Sequence, residues 1–217
     1  MIISIVGTDG SGKSSSVKVL DQALRESGRT VVRLDKWDIY DFDTHPECRF
    51  LQAPLPLLRQ CISEMPGAGR AMFIFWSIYT SMSKATFDRD TIYLLDGYWM
   101  KHFATETVFG VNAEWVQTVA SLLPRPDLTI LLQVDPEEAY RRKDLIKDFV
   151  PYEFGLDPQM KAENFLSHQA KVQSVLIDWA ARHGWLTVNA NRPAAAVQAD
   201  MLTVLQDHIE SHLVGAG

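Results

Sequence analysis

The residues with the clearest chemical meaning form one short segment, Gly7-Thr8-Asp9-Gly10-Ser11-Gly12-Lys13-Ser14. It follows an apolar run and precedes a helical pattern, which is the setting of a phosphate-binding loop of the form G-x-x-x-x-G-K-[ST]. Glycines let the backbone curl so that successive N–H groups point at phosphate oxygens. The positive end of the following helix favours the same anion. The segment therefore predicts a nucleoside triphosphate site.

Each polar group of this loop has a predicted task. Lys13 is expected to contact the β- and γ-phosphates, and the Ser14 hydroxyl is expected to hold Mg²⁺. Ser15 is predicted to contact the α-phosphate through its hydroxyl or its backbone N–H. The predicted nucleotide-binding residues of the loop are Gly7, Gly10, Ser11, Gly12, Lys13, Ser14 and Ser15.

The elements that position the loop alternate along the chain. Apolar runs predict strands at residues 2–6, 30–34, 91–95, 128–134 and 185–188. Helical patterns separate them, starting at residues 13–15 and covering 57–65, 70–87, 113–122, 136 onwards, 160–183 and the C-terminal segment. This alternation predicts an α/β fold with a doubly wound, five-stranded parallel sheet. Ligands of such sheets bind at the carboxyl ends of the strands.

Size and composition limit the class of protein. The 217 residues fit a single domain over residues 1–217, and the hydrophobic fraction of 47% is enough for a full core. A net charge of −6 argues against a nucleic acid polymer as partner. No apolar run reaches transmembrane length, so no membrane partner is expected. Because no signal peptide pattern is visible and there are two cysteines, Cys48 and Cys61, we expect a cytoplasmic protein.

Taken together, the motifs resemble those of the thymidylate kinase family of nucleoside monophosphate kinases. Asp9 stands at the third loop position, and Asp96-Gly97-Tyr98 resembles the Asp-x-Tyr motif that ends the third strand. The stretches at residues 114–116 and 126–137 are very close to the fourth strand and its approach. The tail at residues 189–193 resembles the turn beneath the adenine.

The resemblance spans nearly the whole chain and implies a P-loop kinase fold. It further implies ATP and Mg²⁺ as cofactors, Asn191 near the adenine, and a homodimer formed through the helices around residues 70–87 and 113–122. Asp9 is then expected to contact a sugar hydroxyl of the acceptor, with a local Asx turn as the alternative. Asp96 is expected to reach Mg²⁺ through water, and the alternative is an ordinary aspartate at the end of a strand.

The acceptor side departs from the family. Gly97 replaces an arginine that grips the acceptor phosphate, although the neighbouring Tyr98 is retained and is predicted to bind the acceptor. A stacking Phe and a base-reading Arg are spaced four residues apart in the family, and this spacing gives Phe75 and Tyr79 here. Phe75 and Tyr79 are predicted to stack on the acceptor ring, Phe75 being the preferred candidate, while the alternative for these aromatic residues is the core. The candidate replacements for the missing arginine are Lys36, Arg70 and Lys101.

The phosphate loop also lacks the arginine that some family members carry at the position of Gly10. We therefore expect the missing positive charge to come from a lid segment, residues 139–156. Its cations are Arg141, Arg142, Lys143 and Lys147. Arg141 and Arg142 are the predicted catalytic residues of the lid. A solvated helix face is the alternative interpretation.

The chain is accordingly expected to be a phosphotransferase that moves the γ-phosphate of ATP to a nucleoside monophosphate. One alternative is a P-loop kinase of a nucleoside or another small metabolite, which Gly97 and Tyr79 favour because an acceptor without phosphate needs no arginine. The other alternative is a non-catalytic regulator that binds a nucleotide.

Overall fold

The computed structural model describes residues 1–214, and describes side chains as far as Ser211. Within this range five strands form one parallel sheet with the order β2-β3-β1-β4-β5. The predicted α/β fold with a five-stranded, doubly wound parallel sheet is confirmed. The strands are β1 (Ile2–Gly7), β2 (Thr30–Leu34), β3 (Thr91–Asp96), β4 (Leu128–Gln133) and β5 (Leu186–Asn189).

Helices connect the strands in chain order. They are α1 (Lys13–Glu26), α2 (Leu55–Glu64), α3 (Gly67–Met82), α4 (Tyr98–Val108), α5 (Ala113–Ala120), α6 (Pro136–Ile146), α7 (Ala162–His183) and α8 (Ala194–Val214). Short 3-10 turns occur at Lys36–Tyr40, Pro46–Cys48 and Pro151–Phe154. None of the helices in residues 1–214 has the length and apolar character that crossing a membrane would need.

Both faces of the sheet are covered, because its strands alternate between two apolar clusters. Ile3 and Ile5 of β1 pack in one cluster with α1 and α8, whereas Val6 belongs to the other, with α4, α5 and α7. Strand β4 repeats the pattern, with Ile130 on the first side and Leu131 on the second. Strands buried on both faces are typical of parallel sheets.

The order of the sheet brings the ends of its strands to one crevice. Strand β1 lies between β3 and β4, so the loop after Gly7 emerges where the connections turn to opposite sides. The register pairs Ile5 with Asp96 and Gly7 with Leu132. Asp96 therefore ends its strand beside the start of the phosphate loop.

Helix α4 is the main element that the sequence patterns did not predict. It begins directly after β3, with Gly97 and Tyr98 both at positive φ, 73° and 39°. Helix α3 also runs from Gly67 to Met82 instead of over residues 70–87. These two helices form the wall of the crevice on the side of β2 and β3.

Candidate functional site

A cleft of about 1060 Å³ lies at the carboxyl ends of the strands. Its floor is the phosphate loop and the start of α1, and its walls come from α2, α3, α4, α6 and the turn after β5. The cleft brings together most of the predicted site residues. Those that line it are Asp9, Gly10, Ser11, Gly12, Lys13, Ser14, Ser15, Lys36, Asp96, Lys101, Arg141, Arg142 and Asn191.

The phosphate loop has the tight backbone that its glycines predict. Gly10 and Gly12 have φ values of 82° and 94°, which favour glycine over residues with a side chain. A Cβ at Gly10 would lie 2.3 Å from the carbonyl oxygen of Ala139, so helix α6 sits directly on the loop. A Cβ at Gly7 would lie 2.5 Å from Ser11 Oγ.

The loop has unused capacity for hydrogen bonds. The buried hydroxyls of Thr8 and Ser11 have no hydrogen-bond partner among the described residues. Lys13 Nζ donates to the Thr8 carbonyl at 2.7 Å, within its own loop. Burial lowers the pKa of Lys13, and the negative charges of Asp9 and Asp96 partly oppose this effect. Such a cradle fits the oxygens of a polyphosphate.

Asp9 is the centre of a buried polar cluster. Lys101 Nζ lies 3.0 Å from its carboxylate, and its backbone N–H donates to Gln169 Oε1 at 3.0 Å. Burial alone would raise the pKa of Asp9, but the positive charges of Lys101, Lys13 and Lys143 outweigh it and hold the pKa below its usual range. The carboxylate is therefore ionised and is held by side chains from other elements.

Lys36 provides a second cation on the acceptor side. Its Nζ lies 2.8 Å from His102 Nε2 and 4.8 Å from the centre of the Trp37 ring. Burial lowers the pKa of Lys36 to about 7. Burial and the charges of Lys36 and Lys101 push the pKa of His102 well below its ordinary value. A neutral imidazole thus accepts a hydrogen bond from Lys36, and neither of these two partners carries a negative charge.

Arg70 lies outside the cleft lining and so is not positioned to bind the acceptor, contrary to the prediction. Its guanidinium is buried in an ion pair with Glu106, at 2.8 Å from Nε to the carboxylate, and also donates to the Met65 carbonyl. Tyr98 is corrected as well, because its hydroxyl donates to the Pro124 carbonyl and its ring belongs to the core. Neither side chain lines the cleft.

The predicted stacking residues Phe75 and Tyr79 also lie outside the cleft lining. Phe75 stacks on Phe103 with ring centres 6.3 Å apart, and Tyr79 packs beside Phe75 at 6.0 Å. Helix α3 instead turns Phe73 and Ser77 into the cleft. Phe73 and Ser77 have the same four-residue spacing, so the pattern was present, but only the packing of α3 decides which pair faces inward.

The lid cations have different surroundings. Glu138 holds Arg141 through two hydrogen bonds, at 2.7 and 2.8 Å, and the Arg141 side chain is 63% exposed. Arg142 donates to Glu138 and to the Ala190 carbonyl, both at 2.7 Å. Lys147 lies outside the cleft lining and pairs with Asp144 at 2.6 Å.

Lys143 is the buried cation of this helix. Its Nζ lies 2.6 Å from Glu153 Oε1, and both side chains line the cleft. Burial and the charge of Asp9 raise the pKa of Glu153 to about 7, against the opposing effect of Lys143. Gln169 donates to the Glu153 carbonyl at 2.9 Å and so links this turn to Asp9. Glu153 and Gln169 are site residues that no sequence motif had indicated.

The turn after β5 closes the opposite end of the cleft. Asn191 Oδ1 accepts the backbone N–H of Asp135 at 2.8 Å, which ties this turn to the start of α6. Arg192, Pro193 and Ala194 line the same end. Pro193, Ala194 and Val197 give this part of the cleft an apolar lining.

Comparisons with known proteins give relatives along the whole chain. Similar proteins include a probable thymidylate kinase 2 of Saccharolobus solfataricus, 25% identical over 98% of this chain and 99% of that protein. A probable thymidylate kinase of Pyrobaculum aerophilum is 27% identical over 94% of this chain and 95% of that protein. A probable thymidylate kinase of Methanothermobacter thermautotrophicus is 24% identical over 96% of this chain and 95% of that protein. No model of a known protein family matches the chain.

Proposed function

We propose that the chain, which is similar over nearly its whole length to probable thymidylate kinases, is a member of the thymidylate kinase family and transfers the γ-phosphate of ATP to a nucleoside monophosphate. The observation that carries the proposal is the cleft in which a phosphate loop faces a compartment lined by Lys36 and Lys101. Phosphoryl transfer depends on positioning and charge neutralisation, and both ends of the cleft supply cations.

The donor is held by the phosphate loop and the edge of the sheet beyond it. Lys13, released from the Thr8 carbonyl, contacts the terminal phosphates, and the unpaired Ser11 hydroxyl and the loop N–H groups take further oxygens. Asn191 and its neighbours receive the adenine. Mg²⁺, when bound, neutralises phosphate charge, and Ser14 and Asp96 line the cleft where they would hold it.

The acceptor lies between α3 and α4. Phe73 offers a ring face to the base, and Asp9 accepts a hydrogen bond from a sugar hydroxyl. Lys36 and Lys101 replace the arginine that is absent at Gly97. The donation of Lys36 to a neutral His102 leaves its positive charge available to an acceptor phosphate. A lysine acts as a point charge, whereas an arginine would bind two oxygens at once.

A homodimer and a cytoplasmic location complete the proposal. The dimer is supported by exposed apolar side chains at Met72 and Tyr79 on α3 and at Leu122 just after α5. These are the helices through which the family resemblance implies a dimer. Light scattering at micromolar concentration measures this state, and a monomer mass would contradict it.

The reaction is tested by ADP release in the presence of dTMP, other monophosphates, and the corresponding nucleosides. Lys13→Ala is expected to lower turnover by at least about 100-fold while leaving the thermal unfolding temperature unchanged. Lys147→Ala is the matched control, because this lysine of the same protein is exposed and outside the cleft lining. Wild-type turnover in Lys13→Ala would refute the role of the loop.

A second candidate is a kinase of a nucleoside, and the observation that favours it is Gly97, which stands where the family carries its acceptor-binding arginine. In that case nucleosides, and not monophosphates, stimulate ADP release. Tight ATP binding without transfer to any acceptor would instead support a non-catalytic regulator.

A further inference from the structure

Helix α6 rests on the phosphate loop through its backbone. The Ala139 carbonyl is so close to Gly10 that a Cβ there would lie 2.3 Å from it. The loop can therefore carry no side chain at this position, and a positive charge over the phosphates must reach them from another element. The element in contact is α6 itself.

Lys143 is the cation that this contact directs at the loop. It follows Ala139 by four residues and so lies on the same face of α6. Side chains of a helix lean towards its N-terminus, which brings Lys143 back over Ala139 and the loop. Its side chain is only 10% exposed, whereas that of Arg141 is 63% exposed. Arg142 is directed away, to the Ala190 carbonyl.

The partner of Lys143 is incompletely satisfied. Lys143 Nζ donates to Glu153 Oε1 at 2.6 Å, whereas the buried Oε2 of Glu153 has no hydrogen-bond partner among the described residues. Arg59 on α2 approaches the carboxylate at 3.7 Å, too far for a hydrogen bond. The other charges that face Glu153 are Asp9, which repels it, and Lys101, which attracts it.

We propose, on the basis of the function proposed above, that Lys143 is the catalytic cation of the lid and is held in reserve by Glu153. When the donor nucleotide binds, Lys143 exchanges the Glu153 carboxylate for oxygens of the terminal phosphate. Glu153, left beside Asp9 without its main partner, takes one proton from the solvent. No bond of the nucleotide is broken in this step. Lys143 keeps its proton and its charge, and the proton taken up neutralises the Glu153 carboxylate that has lost its counter-ion.

The energetics favour this exchange. A buried carboxylate that loses its cation is costly to keep ionised, so it binds a proton instead. The pKa of Glu153 is already raised to about 7 by burial and by Asp9. The donor phosphate and the ionised Glu153 carboxylate therefore compete for Lys143. A fall in pH protonates Glu153 and so favours binding of the donor.

The exchange is tested with a non-hydrolysable ATP analogue, by calorimetry between pH 6 and pH 8 in two buffers of different ionisation enthalpy. Wild type is expected to take up a substantial fraction of one proton near pH 8 and to bind several-fold more tightly at pH 6. Glu153→Gln is expected to bind tightly throughout and to lose this uptake. The difference between the two proteins removes the titration of the analogue itself. Equal proton uptake in both would overturn the exchange.

The catalytic role is tested by turnover. Lys143→Ala is expected to lower kcat by about 100-fold, Lys143→Arg to recover part of it, and Lys147→Ala, on the same segment but outside the cleft lining, to remain within about 3-fold of wild type. If Lys143→Ala unfolds, the double variant Lys143→Met with Glu153→Gln removes the unpaired carboxylate and keeps the test valid. Wild-type turnover in a folded Lys143 variant would overturn the proposal even if Lys13→Ala is inactive. Absence of turnover in wild type would instead refute the kinase function, while the calorimetry still decides the exchange.

Discussion

Replacing Glu106 by Gln tests the buried ion pair that holds Arg70 outside the cleft. Glu106 is fully buried and accepts three hydrogen bonds, from Arg70 Nε at 2.8 Å, Arg70 Nη2 at 3.1 Å and the Tyr152 hydroxyl at 2.9 Å. Gln keeps the shape of the side chain and one oxygen, but it removes the charge and presents an amide to the guanidinium. Arg70 is then a buried cation without a counter-charge.

The expected loss is large for a single substitution. Removing one partner of a buried ion pair costs about 3–5 kcal/mol, because the other charge stays buried. Because Gln retains one side-chain oxygen as an acceptor, we expect Glu106→Gln to lower the free energy of unfolding by about 3 kcal/mol, the lower end of this range. In a chain of 217 residues each kcal/mol lowers the unfolding temperature by about 2–4 °C, so we expect a fall of about 6–12 °C.

Urea denaturation followed by fluorescence measures the loss as a lower midpoint with an unchanged slope. The control is Asp178→Asn, which breaks the exposed pair with Arg182 within α7, where the side chains are 49% and 68% exposed. Exposed pairs contribute about 0.2–1 kcal/mol. The combined variant Arg70→Met with Glu106→Leu is expected to recover most of the stability. If Glu106→Gln is no more costly than Asp178→Asn, the argument from burial is wrong.

Three further outcomes concern the cleft. Phe73→Ala is expected to raise the acceptor KM by about tenfold, whereas Phe75→Ala lowers stability and leaves KM unchanged; equal effects on KM would contradict the orientation of α3. Gly10→Ala forces a Cβ against Ala139 and is expected to weaken binding of the ATP analogue by at least about tenfold, measured by calorimetry. Because the pKa of Lys36 is about 7 and the charged form binds phosphate, kcat/KM for the acceptor is expected to fall as pH rises through 7. Lys36→Arg, which stays charged, is expected to flatten that part of the profile, and an unchanged profile would exclude Lys36.

Local sequence patterns were sufficient to predict the strands of the sheet but not every helix. The strands are apolar runs buried on both faces, and their order follows from the alternation with helices. Helix α4 escaped prediction because it has no capping side chain and starts from residues with positive φ, at Gly97 and Tyr98. Its sequence, rich in aromatic residues and threonine, has weak intrinsic helix preference and is stabilised by packing against α7.

The site residues likewise differ in how far local sequence patterns could predict them. The phosphate loop is a contiguous motif, so its residues could be predicted from the sequence pattern alone, and they line the cleft together. The acceptor and lid residues depend on how one helix is rotated or docked against another, which spacing does not determine. Phe73 lines the cleft instead of Phe75 because of the rotation of α3, and we propose Lys143 among the four cations because of the contact of Ala139 with Gly10. Glu153 and Gln169 are separated from the loop by more than a hundred residues, and no local pattern connects them.

The contacts of helix α6 have a mechanical consequence. Its first half is clamped, by Ala139 against Gly10, by Arg142 on the Ala190 carbonyl and by the N–H of Asp135 on Asn191. The turn at Pro151–Phe154 is anchored too, through the Tyr152 hydroxyl.

Between these two anchors lies a short span, residues 144–150, which carries Leu145 and Ile146 largely exposed. Even fully extended it reaches only about 25 Å. If this segment is the lid that the sequence predicts, we expect it to move as a strap held at both ends. Because Ala139 contacts Gly10, we expect such a movement to be coupled to the shape of the phosphate loop.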